Sequence, residues 1–151
     1  MNAFGLIASL AFLVALEGAG AAPAAPPVPK AEILGIWKGT SSCTKVEGNE
    51  FCRDETVVYN FVDVPDQPAT VALKAARVVD ETVQPLYWLY FTYRPETKSW
   101  TCAFERPSFR GVWSYVVHGD EMTGTATLMP SGTVVRNAAA KRAPKEQAAA
   151  P

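Results

Sequence analysis

The feature that most constrains the fold is the region 33–137, which is dense in Val, Thr, Tyr, Phe and Trp. These side chains suit the pleated surface of a β-sheet. Turn signals rich in Pro, Gly, Asn and Asp interrupt the region at intervals of roughly 8–15 residues, a spacing typical of an all-β sandwich or barrel. The pattern predicts strands over residues 33–43, 54–63, 70–79, 85–93, 98–105, 110–117, 121–128 and 132–137.

Side-chain alternation along these segments indicates how the strands assemble. Trp100, Cys102 and Phe104 share one face of the fifth predicted strand, whereas Thr101 and Glu105 share the other. A strand with one dry and one wet face is typical of an antiparallel sheet. Short links between successive strands favour an up-and-down order, and about eight such strands close most economically into a small barrel. We therefore predict an all-β fold, an antiparallel up-and-down β-barrel of about eight strands.

The N-terminus has the pattern of an export signal. Residues 3–16 form an uncharged, apolar stretch of fourteen residues, which matches a signal-peptide core of ~7–15 residues and is shorter than the ~20 needed to span a bilayer. Ala19-Gly20-Ala21 is an A-x-A cleavage site. An uncleaved anchor is the alternative, because Met1-Asn2 carries no basic side chain. The predicted organisation is a signal peptide (1–21), an extended Ala/Pro-rich tether (22–32), a barrel domain (33–137) and a disordered Ala/Lys/Pro-rich tail (138–151) in a secreted or periplasmic protein.

Composition argues against several classes of function. The 14 Lys and Arg against 15 Asp and Glu leave no basic excess for neutralising phosphates, so nucleic acid is not predicted as a partner. One His and three Cys offer little from which to build a metal site. The chain also has no G-x-S-x-G, no H-E-x-x-H and no phosphate-cradling glycine loop. We predict no metal, no cofactor and no catalytic residue, and a protein that acts by binding.

Two of the cysteines are placed to form a disulfide. Cys43 ends the first predicted strand and Cys52 precedes the second, so a hairpin would bring them together. An exported chain meets an oxidising compartment, in which thiols pair. Cys102 has the parity of Trp100 and Phe104, and we predict that it is an inward-facing free thiol acting as a small apolar filler.

A short motif at the two ends of the barrel region resembles a known signature. Gly35-Ile36-Trp37 on the first strand, with Arg136 on the last, is similar to the calycin signature of lipocalins and avidins, and the resemblance extends over most of 33–142 to small exported bacterial proteins with such domains. It implies that Trp37 packs across the closed end, that Arg136 stacks on its ring, and that Gly35 allows close backbone approach. Gly39 stands where avidins usually have a polar residue, so biotin binding is not implied.

The mouth of a small barrel is a natural pocket, with apolar walls and a few polar groups. The leading functional prediction is therefore a site for a small apolar or aromatic ligand. Two alternatives remain open: a hydrolase inhibitor that uses segment 22–30 as an inhibitory arm, as in similar eight-stranded metalloprotease inhibitors of bacteria, and a cell-envelope scaffold. The candidate lining residues are Tyr59, Trp88, Tyr90, Trp100, Phe104 and Trp113.

Segment 86–93 holds five aromatic residues within eight positions. Because strand side chains alternate, one aromatic set fills the barrel while the other faces outward. An outward aromatic row is unusual on a monomer, so this strand predicts a homo-oligomer or a protein partner, with a covering loop or tail and a carbohydrate-stacking face as alternatives. The two sets are Trp88, Tyr90 and Thr92 on one face, and Tyr87, Leu89, Phe91 and Tyr93 on the other.

Overall fold

A computed structural model describes residues 28–144 and shows a closed barrel of eight antiparallel strands in sequential order. The predicted fold class is confirmed. The predicted signal peptide, residues 22–27 of the tether and residues 145–151 of the predicted tail lie outside the described residues. Within 28–144 no helix is long and apolar enough to cross a membrane. The elements are α1 (Lys30–Ile33), β1 (Gly35–Cys43), β2 (Glu55–Asp63), β3 (Thr70–Val79), β4 (Thr82–Arg94), β5 (Ser99–Arg106), β6 (Phe109–His118), β7 (Glu121–Met129) and β8 (Val134–Arg142).

Strand β8 extends further than its predicted end at residue 137. Ala138 and Ala140 point inward and are only 5% and 6% exposed, so the Ala-rich segment after residue 137 belongs to the barrel as far as Arg142. Alanine has little intrinsic β propensity, which makes this segment resemble a tail in composition. The small side chains of this segment suit the close approach of β8 to β1. A Cβ on Gly39 of β1 would lie 1.9 Å from the Ala139 carbonyl oxygen.

The closed end of the barrel is built around Trp37. Its side chain is fully buried, and its Nε1 donates to the Ile33 carbonyl at 2.8 Å. Ile33 is equally buried and ends α1, a single helical turn where an extended tether was predicted. Apolar burial explains the turn, because it brings Ile33 into the same buried cluster as Trp37. Lys30 in the same turn pairs with the Asp63 carboxylate at the end of β2.

The arginine that stacks on Trp37 is Arg142, and the predicted pairing with Arg136 is wrong. The Arg142 Cζ lies 4.2 Å from the centroid of the Trp37 ring. Arg136 is opposite Cys43, at the other end of β1, because β1 and β8 are antiparallel. Gly35 has a φ of +112°, so its glycine is required by the left-handed backbone conformation rather than by close approach to the ring.

Aromatic side chains fill the lower half of the barrel. Tyr115 lies at the centre of the cluster and contacts Tyr59, Phe61 and Phe91 at centroid distances of 5.6, 5.8 and 5.3 Å. All four side chains are at most 1% exposed. Edge-to-face and tilted contacts of this kind add about 0.5–1.5 kcal/mol each beyond their burial. This part of the interior is therefore a packed core.

One seam of the barrel is short. β4 pairs with β3 at ten positions but with β5 at only three, Thr92 to Arg94 against Ser99 to Thr101. These pairs flank the turn that joins the two strands at the closed end. Towards the open end β4 and β5 have no further pairing in the described sheet. The barrel wall is therefore least tightly joined beside its mouth.

Candidate functional site

A cavity of about 290 Å³ lies at the open end of the barrel, beside the short β4–β5 seam. Tyr87 and Leu89 of β4 face Phe104 of β5 across it, and these are positions at which the two strands do not pair. The walls are mainly apolar, as expected for a site that takes a small molecule. The full lining is Asn49, Cys52, Tyr87, Leu89, Phe104, Arg106, Phe109, Trp113, Ala126, Val135 and Arg136.

The aromatic core forms the floor of this cavity. Trp113 lines the cavity and stacks on Tyr115 below it, with ring centroids 5.7 Å apart and ring planes 3° from parallel. Tyr115 is fully buried. The interior is thus divided into a filled lower half and an open upper half. The stacked rings of Trp113 and Tyr115 set the depth of the cavity.

The structure places the predicted ligand residues in three different environments. Phe104 and Trp113 line the cavity, as predicted. Tyr59 and Trp100 are 1% and 2% exposed and belong to the packed core, with Trp100 tilted against Tyr93 at the closed end. Side-chain parity placed these two inside the barrel, but it carries no information about their depth below the mouth.

For Trp88 and Tyr90 the predicted inward orientation is wrong. Their side chains are 57% and 61% exposed on the outer face of β4. Tyr87 and Leu89, the residues of opposite parity, line the cavity instead. The signal was present in the sequence, since the polar residues at positions 92 and 94 share the parity of Trp88 and Tyr90 and so mark the wet face.

Arg136 braces the wall of the cavity. Its Nε donates to the Ser41 hydroxyl at 3.0 Å, and its Nη2 donates to the Ser41 carbonyl at 3.0 Å and the Arg53 carbonyl at 2.8 Å. Nη2 also lies 3.0 Å from Glu55 Oε2. These contacts join β8 to β1 and β2, so Arg136 does help close the barrel, although not through Trp37. Within residues 28–144 its Nη1 donates to no acceptor.

Tyr87 is a second lining residue whose side chain carries a polar group. Within the described part of the chain, its hydroxyl takes part in no hydrogen bond. Burial raises the pKa of Tyr87, while the nearby Arg136 guanidinium opposes that shift. The phenol therefore stays protonated at neutral pH and remains a hydrogen-bond donor.

Two further phenols lie deeper in the core. The hydroxyls of Tyr59 and Tyr115 are buried and, among the described residues, have no hydrogen-bond partner. Burial raises the pKa of both groups. A buried hydroxyl without a partner costs about 1–3 kcal/mol. The floor of the site therefore keeps two polar groups at a cost in stability.

The disulfide stabilises the connection between β1 and β2 at the mouth. Cys43 and Cys52 are bonded, as predicted, with Cα atoms 5.9 Å apart. Asn49 in the same connection donates from Nδ2 to the Thr44 and Val135 carbonyls, each at 2.9 Å. Cys52 and Asn49 both line the cavity, so this wall is fixed covalently and by hydrogen bonds.

Cys102 is a free thiol and is 8% exposed. Burial raises its pKa, which lowers the fraction of reactive thiolate. No group of three or more His, Cys, Asp or Glu side chains within residues 28–144 is arranged to hold a metal ion. No protein-family model and no curated protein matches the chain.

Proposed function

We propose that this protein binds a small, mainly apolar molecule in the cavity at the mouth of its barrel. The observation that carries the proposal is the aromatic-lined cavity inside the mouth of the barrel, whose lining includes Tyr87 and Leu89 of β4 and Phe104 of β5. A core selected for stability alone would be filled, because an unfilled space in a packed interior lowers stability. The lower half of this same barrel is filled by aromatic side chains.

The size of the cavity limits the ligand. A cavity of ~150 Å³ holds benzene, and the volume here is about 290 Å³. The ligand is therefore about the size of a two-ring compound or a short aliphatic chain. Trp113 offers a flat surface at the floor, and Phe104 and Phe109, with centroids 6.2 Å apart, form an edge-to-face pair at the rim.

The two alternative functions remain predictions. An inhibitory N-terminal arm would use segment 22–30, of which the structure describes only residues 28–30. Lys30 packs at the closed end, donating to the Gln67 carbonyl at 2.9 Å. A cell-envelope scaffold would need a surface for a partner, and the exposed side chains of Trp88 and Tyr90 on the outer face of β4 offer one. Kinship with the calycins is likewise a proposal, supported by the barrel and by the stacking of an arginine on Trp37.

Export also remains part of the proposal. The apolar segment 3–16 has the length of a signal-peptide core, and the Cys43–Cys52 disulfide fits an oxidising compartment. Fractionation of cells that produce the full chain tests this directly. We expect a processed protein outside the cytoplasm, and recovery of the unprocessed chain in the cytoplasm would contradict export.

The binding proposal can be tested with a neutral, environment-sensitive two-ring fluorophore, 6-propionyl-2-dimethylaminonaphthalene. We expect saturable binding to one site with a blue-shifted emission. Leu89→Trp adds volume inside the cavity and should abolish binding. Tyr90→Trp, on the same strand but on the outer face, is the matched control and should bind like the wild type. The proposal would be refuted if the folded wild-type protein showed no saturable binding of this fluorophore, of 2-naphthoate and 2-naphthamide, or of octanoate and octanamide.

A further inference from the structure

Most residues that line the cavity are apolar, but the lining also carries charged side chains. Its lining includes two arginines, Arg106 and Arg136, and no carboxylate. Glu55 compensates the charge of Arg136 through a 3.0 Å contact and also lies 3.5 Å from Arg77 Nη1, so one carboxylate serves two guanidinium groups. Among the described residues Arg106 makes no ion pair. The lining of the cavity therefore carries positive charge that no lining carboxylate offsets.

Two of the unused hydrogen-bond donors of the cavity belong to Arg136 and Tyr87. Arg136 Nη1 and the Tyr87 hydroxyl both donate to no acceptor in residues 28–144, although both residues line the cavity. The charge of Arg136 is close enough to Tyr87 to act on its ionisation. Guanidinium and phenol donors left without partners in a half-buried site favour a ligand that supplies the acceptors.

We infer that the ligand is a small apolar carboxylic acid, whose carboxylate accepts hydrogen bonds from Arg136 Nη1 and the Tyr87 hydroxyl while its apolar part lies against Phe104 and Trp113. This inference rests on the proposed function. Arg106, exposed at the rim, adds attraction that guides the acid towards the mouth and that falls with ionic strength. A neutral apolar compound of the same shape would leave both donors unsatisfied.

The inference is tested by calorimetric titration with two pairs of compounds that differ only in charge: 2-naphthoate against 2-naphthamide, and octanoate against octanamide. At pH 7 we expect at least one acid to bind about tenfold or more tighter than its amide, because hydrogen bonds to a charged group are markedly stronger than neutral ones. The advantage should shrink in 0.5 M NaCl.

Two conservative variants test which residues cause the tighter binding of the acid. Tyr87→Phe removes only the hydroxyl and should weaken binding of the acid about fivefold or more. Arg106→Gln should weaken binding of the acid and leave that of the amide within about twofold. The matched controls are Tyr90→Phe on the outer face of β4 and Arg110→Gln on β6, neither of which lines the cavity. Both should behave like the wild type.

The outcomes separate this inference from the proposed function. If acids and amides bind equally and neither Tyr87→Phe nor Arg106→Gln affects the acid, the carboxylate assignment is wrong while the apolar site stands. If the neutral fluorophore binds but neither acid does, the assignment is again wrong. If the fluorophore, the acids and the amides all fail to bind to the folded protein, both proposals are wrong.

Discussion

Arg142 lies over the indole ring of Trp37 and joins the last strand of the barrel to the segment that precedes the first. Its Cζ is 4.2 Å from the ring centroid, and its Nη1 donates to the Leu34 carbonyl at 2.8 Å. Its Nε donates to Asp120 at 3.0 Å. The Arg142 side chain alone therefore contacts three parts of the closed end: the Trp37 ring in β1, the segment before β1, and the turn between β6 and β7.

The first prediction concerns these contacts of Arg142. Arg142→Ala should lower the free energy of unfolding by about 2–4 kcal/mol, the combined effect of a cation–π contact and of charge-assisted hydrogen bonds. Urea denaturation monitored by tryptophan fluorescence measures it. Arg110→Ala, an exposed arginine on β6, is the control and should change stability by less than about 0.5 kcal/mol. Equal stability of the Arg142 and Arg110 variants would refute this stabilising role.

The thiols give a second prediction. Without reductant, the folded protein should react very slowly with a thiol reagent, because Cys102 is buried and its pKa is raised. In denaturant one thiol should react, and after reduction all three cysteines should react. Removing the disulfide as Cys43→Ser/Cys52→Ser should cost about 2–3 kcal/mol, the loop-entropy value for so short a loop. Two fast thiols in the native protein would contradict the pairing.

The strands could be predicted from the sequence because local signals define them. Seven of the eight predicted segments agree with the structure to within a few residues, since period-two alternation and turn residues are properties of adjacent positions. The end of β8 was missed because its stability comes from its neighbours. Ala138 and Ala140 form a strand by fitting against β1 and β7, which no local propensity reports.

The site was only partly predictable for a related reason. Alternation divides Trp88 and Tyr90 from Tyr87 and Leu89, but the inward face depends on the whole barrel. The separation of β4 from β5 beside the mouth is a tertiary property, and alternation alone cannot tell that Phe104 lines the cavity at the mouth while Trp100 does not. The pairing of Arg142 with Trp37 was missed because the predicted β8 ended before residue 142.

A third prediction follows from the buried phenols. Because burial raises the pKa of Tyr59, Tyr87 and Tyr115 above the ordinary value of 10.0, the folded state keeps these protons after the unfolded chain has lost them. Stability is therefore fully present below about pH 10 and falls as the pH rises further, by about 1.4 kcal/mol per pH unit for each phenol. Denaturation series between pH 8 and pH 11 measure the slope.

The matched variants for this effect are Tyr115→Phe and Tyr90→Phe. Tyr115→Phe removes a buried hydroxyl that has no partner among the described residues, so it should raise stability at pH 7 by about 1 kcal/mol and make the alkaline decline less steep. Tyr90→Phe alters an exposed residue and should leave both quantities unchanged. A loss of stability in Tyr115→Phe would show that the hydroxyl is satisfied in solution.

The last prediction separates the two faces of β4. Phe91 is fully buried, and its ring centroid lies 5.8 Å from that of Phe61. Phe91→Ser should therefore lower the free energy of unfolding by about 3–5 kcal/mol and leave much of the protein unfolded. Trp88 is 57% exposed, and the Lys74 ammonium lies 4.7 Å from the centroid of its ring. Trp88→Ser should therefore cost less than about 1 kcal/mol and keep the fold.

If a second copy covers the outer aromatic face, sedimentation velocity will show concentration-dependent self-association of the wild type that Trp88→Ser weakens. Identical monomeric sedimentation of both proteins over the same concentrations would contradict self-association through this strand.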